Sequence, residues 1–109
     1  QQRGLIMSDI IAAEEVLHAM QLGERERPEV EDVVSAVNAL IKSYKGDREE
    51  WPAYWRQGAK MLAQRVYRRR DSPAGVEAMG ELGPVYVSRN DPDLAQLLEL
   101  GRYAKPVVG

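Results

Sequence analysis

A chain of 109 residues with 44% hydrophobic and 29% charged side chains has room for one modest core and is too apolar for wholesale disorder. With no cysteine and a single histidine, disulfides, cysteine zinc sites, thiol catalysis and most histidine chemistry are excluded. The net charge is −2, yet residues 1–50 carry 11 acids against 6 bases and residues 51–109 carry 6 acids against 9 bases.

The extremes of that asymmetry are Glu24–Asp32, with five acids and two arginines, and Arg65–Arg70, with four arginines in six positions. Opposite poles on one chain suit head-to-tail contact between identical copies; two solvated helix ends are the alternative. No apolar run approaches the roughly 20 residues of a bilayer span, so no membrane segment is expected and the chain reads as soluble. Residues 1–6 lack the basic start, long apolar stretch and small-residue cleavage site of a secretory signal. Met7 reads as a natural start, so residues 1–7 are expected to be an extension outside the fold, disordered or left over from expression.

The first helix is expected from about Asp9 to Leu22, with Ser8 and Asp9 as caps, Glu14 and Glu15 near its positive end and Gly23 as the stop. Ile10, Ala13, Val16, Leu17 and Met20 fall on one arc of about 120° at helical spacing. His18 lies off that arc and reads as a surface residue. The second helix opens on Pro28, with Glu29, Glu31 and Asp32 in its first turn, Lys42 and Lys45 in its last, and Gly46 as the stop. Val30, Val33, Val34, Val37, Leu40, Ile41 and Tyr44 form its apolar stripe. So many valines are indifferent helix formers, and tertiary packing must hold the helix.

The third helix is expected from Pro52 to about Arg70, and apolar residues cover roughly 240° of its circumference. A helix apolar most of the way round is surrounded by partners, so it should be central, with Gly58, Ala59 and Ala63 admitting a close neighbour. Arg65 and Arg69 project on the apolar side, where they either snorkel beyond the core or meet something acidic. Turn residues follow at Asp71–Gly75, with Gly80, Gly83 and Pro84 beyond. Pro84–Arg89 reads as a short strand that cannot satisfy its backbone alone. A last helix is expected with Asp91 as cap, Pro92 first, Leu94, Leu97 and Leu98 on its apolar face, and Gly101 as the stop.

The expected fold is therefore mostly α. It is a small helical bundle of three main helices around a central third helix, plus a short β segment and a short C-terminal helix. Residues 8–103 form a single domain and residues 104–109 a tail, either frayed or docked on a partner. Val33, Val37, Leu40, Ile41, Trp55, Leu62 and Val66 are the expected core.

Candidate chemistry is sparse. Gly80-Glu81-Leu82-Gly83 is followed by proline and lacks the Lys-Ser/Thr ending of a phosphate loop. Asp91 and Asp93 flank Pro92 and read as helix caps rather than metal ligands. No serine has a histidine and an acid in register with it. No catalytic residue, cofactor or metal is expected, and the chain does not read as an enzyme. The arginine cluster raises nucleic-acid binding, but Arg65, Arg68, Arg69 and Arg70 are spread around the helix rather than forming one basic face, and the chain is acidic overall. A small helical DNA-binding regulator remains the alternative, with a generic helical dimer behind it.

Several pieces recur in a known order. They are Ala59-Lys60-Met61-Leu62-Ala63-Gln64-Arg65-Val66-Tyr67-Arg68-Arg69-Arg70, Asp71-Ser72-Pro73-Ala74-Gly75-Val76, Gly80-Glu81-Leu82-Gly83, Val85-Tyr86-Val87-Ser88-Arg89 and Asp91-Pro92-Asp93-Leu94-Ala95-Gln96-Leu97-Leu98. Together with Leu22-Gly23 and Ala39–Gly46, this order resembles the head-tail connector, or adaptor, proteins of tailed double-stranded DNA bacteriophages over about residues 8–103. One departure is Ala12-Ala13, where a Thr-Pro-type start to the first helix would be expected.

The resemblance implies a structural virion protein at the head-tail interface, assembled in the bacterial host cytoplasm. Its subunits would form a ring under the portal protein, following the portal's twelvefold symmetry, extend the DNA channel and dock a stopper or tail-completion protein. The subunit can be a monomer before a portal is present, and DNA only passes through the channel. On that reading Glu29, Glu31 and Asp32 of one subunit face Arg65, Arg68, Arg69 and Arg70 of the next, while Tyr86, Arg89, Tyr103 and Lys105 contact the portal or a neighbour. A heterologous interface that closes on itself gives a ring.

Overall fold

The computed structural model describes residues 9–46, 48–69 and 84–100. Five α-helices occur among them: α1 (Ala13–Met20), α2 (Arg27–Lys45), α3 (Ala53–Arg68), α4 (Pro84–Asn90) and α5 (Pro92–Leu97), with a 3₁₀ turn at Glu24–Glu26. The turn expected at residues 71–75, the glycines at 80 and 83, and residues 1–7 and 104–109 lie outside the described residues.

The first helix starts four residues later than its capping pattern predicts. Ile10 and Ile11 precede it and are both fully buried. The backbone before Ala13 is non-helical, with Ala12 extended, and its free polar groups are met from other helices. Asn38 on α2 accepts from the Ile11 N–H at 3.1 Å and donates to the Ile11 carbonyl at 3.0 Å. The Arg56 Nε donates to the Ile10 carbonyl at 3.2 Å, and Lys42 reaches the Asp9 carboxylate at 2.8 Å. Exchanging two hydrogen bonds with one backbone residue is how a buried asparagine becomes affordable.

The far end of α1 also departs from expectation. Gln21, not Gly23, takes the left-handed conformation, with φ 58°. The Leu22 N–H then bonds the Leu17 carbonyl at 2.8 Å, closing the helix end. The second helix follows its sequence grammar closely. Pro28 stands in its first turn, and Gly46, at φ 85°, donates its N–H to the Lys42 carbonyl at 2.8 Å. That backbone angle is one only glycine adopts readily.

The strand expected at Pro84–Arg89 is a helix, α4. Alternating Val85, Tyr86, Val87 and Ser88 suit a strand by propensity, but a strand throws neighbours to opposite faces. Here Tyr86 and Val87 are both buried. The helix satisfies its own backbone, and its end is closed by the Asp91 N–H to the Val87 carbonyl at 2.7 Å and by Asn90 Nδ2 to the Tyr86 carbonyl at 2.9 Å. No strand occurs among the described residues.

The core gathers Val33, Val37, Leu40 and Ile41 from α2 with Trp55, Leu62 and Val66 from α3, alongside Leu94 and Leu98. The third helix contacts α1, α2 and α5. Gly58 is where α5 comes closest: a Cβ there would stand 3.0 Å from the Leu98 Cγ and 3.1 Å from a Leu97 methyl. No helix among the described residues is long and apolar enough to cross a membrane.

Candidate functional site

The arginines of α3 are answered within the chain. Arg69 grips Asp91 with two hydrogen bonds, Nη1 to Oδ2 at 2.8 Å and Nη2 to Oδ1 at 2.6 Å. One turn earlier, Arg65 holds Asp93 with both Nη atoms at 2.9 Å and reaches the Asp91 Oδ1 at 3.2 Å. Such paired bonds are the strongest geometry available to a guanidinium. Asp91 is only 2% exposed. Burial pushes its carboxyl up, but the hydrogen bonds from Arg69 and Arg65 outweigh burial and hold it below the ordinary aspartate value. Arg65 in turn holds the Asp93 carboxyl low. Both Asp91 oxygens are occupied by guanidinium, which makes the group a poor proton acceptor.

One sequence expectation changes here. Asp91 precedes Pro92 at the start of α5, yet its side chain makes no capping hydrogen bond. The carboxylate is drawn away by two cations whose attraction exceeds that of a single backbone N–H. Arg65 and Arg69, expected to face a neighbouring subunit, spend their donors on α5 and the residue before it. Of the rest of that cluster, Arg68 is exposed and Arg70 lies outside the described residues.

Tyr86, expected on a surface facing the portal or a neighbour, is buried at 3% exposure, with its hydroxyl 3.5 Å from the Arg69 Nη1. Arg89 is exposed. Tyr103 and Lys105 lie outside the described residues.

The acidic pole sits where the sequence puts it. Glu29, Glu31 and Asp32 are exposed on the first turns of α2. Arg27 organises the acids around them, binding Glu24 through two hydrogen bonds of 2.7 and 2.9 Å and Glu14 at 3.0 Å, with Glu31 at 3.8 Å. The Arg27 hydrogen bond keeps the Glu24 carboxyl below its usual value.

An open groove of about 550 Å³ runs between the extended 9–12 segment and α2, past Ile11, Val34, Asn38, Arg27 and Lys42. Its cations are committed to Glu14, Glu24 and Asp9, and Asn38 to the Ile11 backbone. No cluster of three or more potential metal ligands occurs among the described residues.

Sequence reasoning missed one feature, at the corner where α2 hands over to α3. Lys45 Nζ stands 4.6 Å and the Arg48 guanidinium 4.7 Å from the centre of the Trp55 ring. Trp51 and Tyr54 lie 6.2 and 6.1 Å from the same ring. The signal is present as cations interleaved with aromatics from Tyr44 to Trp55, but the helical wheel assigns Trp55 to the core.

No family model, no curated protein and no solved structure matches the chain.

Proposed function

We propose that the chain is the subunit of a head-tail connector ring, a small helical bundle built around its third helix that seats under a portal protein and docks a stopper or tail-completion protein. One observation supports this reading above the others. Three of the sequence pieces that carry the family resemblance, separated along the chain, come together. The arginines that end the alanine-rich helix, the tyrosine of the Val-Tyr-Val-Ser-Arg segment and the aspartates of the Asp-Pro-Asp helix meet in one hydrogen-bonded cluster. A recurring order of short motifs is what such a cluster requires, because each piece supplies one partner. The exposed acids of α2 supply a charged face for contact between copies.

The ring argument loses one of its first supports, the unpaired strand, and Arg65 and Arg69 meet their acids, Asp91 and Asp93, within the chain. The same change weighs against a DNA-binding regulator, since those arginines hold carboxylates instead of offering themselves to phosphate.

The test is to mix the protein with its cognate portal and image the product. A ring seated on the portal is the expected result. No ring at saturating subunit, together with duplex DNA binding that weakens steeply with salt, would replace the connector reading with the regulator.

A further inference from the structure

Asp91 and Pro92 form the one aspartyl-prolyl bond in the chain. Such a bond carries its own means of scission. The aspartate side chain can reach the carbonyl carbon of its own residue, and proline presents a tertiary amide nitrogen, which takes up a proton more readily than an ordinary peptide nitrogen. A carboxyl oxygen attacks the carbonyl carbon and closes a cyclic anhydride. The C–N bond to proline breaks, and the nitrogen takes the carboxyl proton and leaves as a secondary amine. Water then opens the anhydride, so that aspartate becomes a new C-terminus. The sum is hydrolysis of one peptide bond with water as the co-reactant.

The fold treats the two reacting groups differently. The Asp91 carbonyl accepts the Ala95 N–H at 2.9 Å, a donor placed where negative charge gathers on the oxygen during attack. The carboxylate is restrained instead. Arg69 holds both of its oxygens, at 2.8 and 2.6 Å, and Arg65 adds a bond of 3.2 Å to Oδ1. From α4 the Tyr86 hydroxyl faces the Arg69 guanidinium, and on α5 the Asp93 carboxylate binds Arg65. A carboxylate whose oxygens are engaged by two guanidiniums is a weak nucleophile and is not free to turn toward its own carbonyl. Burial raises the Asp91 carboxyl, but the two arginines outweigh burial and keep it low. The proton that the leaving nitrogen needs is therefore withheld as well.

We propose that the Asp91–Pro92 bond is a latent self-cleavage site locked by Arg65 and Arg69, at which release of the Asp91 carboxylate cuts the chain and frees residues 92–109. The cut leaves the Arg69–Asp91 tie on one fragment and the core residues Leu94 and Leu98 on the other. No partner enters the reaction, so the proposal stands apart from the connector reading.

The full native chain, an Arg65→Gln/Arg69→Gln variant and Asn38→Leu are held at about pH 4, near the ordinary carboxyl value. Mass spectrometry follows the fragments 1–91 and 92–109. Asn38→Leu weakens the fold at Ile11 and keeps the lock, so it separates local release from general unfolding. The double variant is expected to cleave at least about tenfold faster than either of the others, the scale of a lost charge-assisted pair. In concentrated urea, where the lock is open in every chain, all three should cleave at one rate, and Pro92→Ala should cleave far more slowly. Circular dichroism checks that the samples without urea keep their helices. If the double variant does not, Arg69→Lys replaces it with the same expected order, because it keeps the charge without the paired bonds. A native chain that cleaves as fast as the unlocked variant, an unlocked variant no faster than Asn38→Leu, or no scission at this bond in urea would each overturn the proposal. Equal scission in Pro92→Ala would do the same.

Discussion

Arg69 and Asp91, 22 residues apart in the chain, share two hydrogen bonds of 2.8 and 2.6 Å and join the end of α3 to the start of α5. Asp91→Asn removes the charge that both arginines hold. Those arginines are partly exposed and can rehydrate, so the loss is smaller than for a fully buried pair, about 2–3 kcal/mol. Urea denaturation of the variant checks the figure, and a loss below about 0.5 kcal/mol, the level of an ordinary surface substitution, would show that α5 is held by its leucines alone.

Acid should release the same linkage. The Asp91 and Asp93 carboxyls are lowered in the folded chain, so folding favours their charged forms. Their stabilisation is complete above the ordinary aspartate value of about 3.9 and disappears as pH falls through the lower folded values. Stability measured from pH 6 downward should fall below about pH 4, and less steeply in Asp91→Asn. Identical slopes in the two proteins would contradict the assignment.

Gly58 sets how near α5 approaches α3. Alanine there gains helix propensity of up to about 1 kcal/mol but crowds Leu97 and Leu98, so the two effects nearly cancel. Gly58→Leu has no such balance and should lose about 2–3 kcal/mol by displacing α5. Increased protease cleavage within residues 91–98 would accompany it. Equal stability of the leucine variant and the native chain would mean that α5 does not rest on this face.

Asn38→Leu should destabilise by about 2–4 kcal/mol, since it strands both polar groups of buried Ile11. Asn38→Asp keeps the acceptor for the Ile11 N–H but turns an oxygen toward the Ile11 carbonyl. It should be weakened at neutral pH and partly recover in acid, when the protonated carboxyl can donate again. Thermal unfolding at two pH values separates these outcomes.

Periodicity revealed what periodicity can reveal. The stripes of α2 and α3 are long enough for repeated valine, leucine and alanine positions to overwhelm local exceptions, and Val30, Val33, Val34, Val37, Leu40, Leu62 and Ala63 are buried, whereas Tyr44, expected in the α2 stripe, is 39% exposed at its last turn. Three features escaped because each depends on a distant partner. Ile10 and Ile11 lie outside the helix, and the Ile11 backbone is held by Asn38, 27 positions away. The α4 segment is helical although its β-branched residues favour a strand, because a helix buries Tyr86 and Val87 together. Asp91 has the position of a cap, and only the fold shows that Arg65 and Arg69 claim it. In the candidate site the acids of α2 are readable as a run of charge, whereas the packing of Lys45 and Arg48 on Trp55 is evident only in the fold.

The tie between Arg69 and Asp91 has an engineering consequence. It joins α3 to the residue that opens α5 directly, and because the chain has no cysteine, an Arg68→Cys variant offers a single thiol, exposed at the end of α3, for attaching a fluorophore beside that tie.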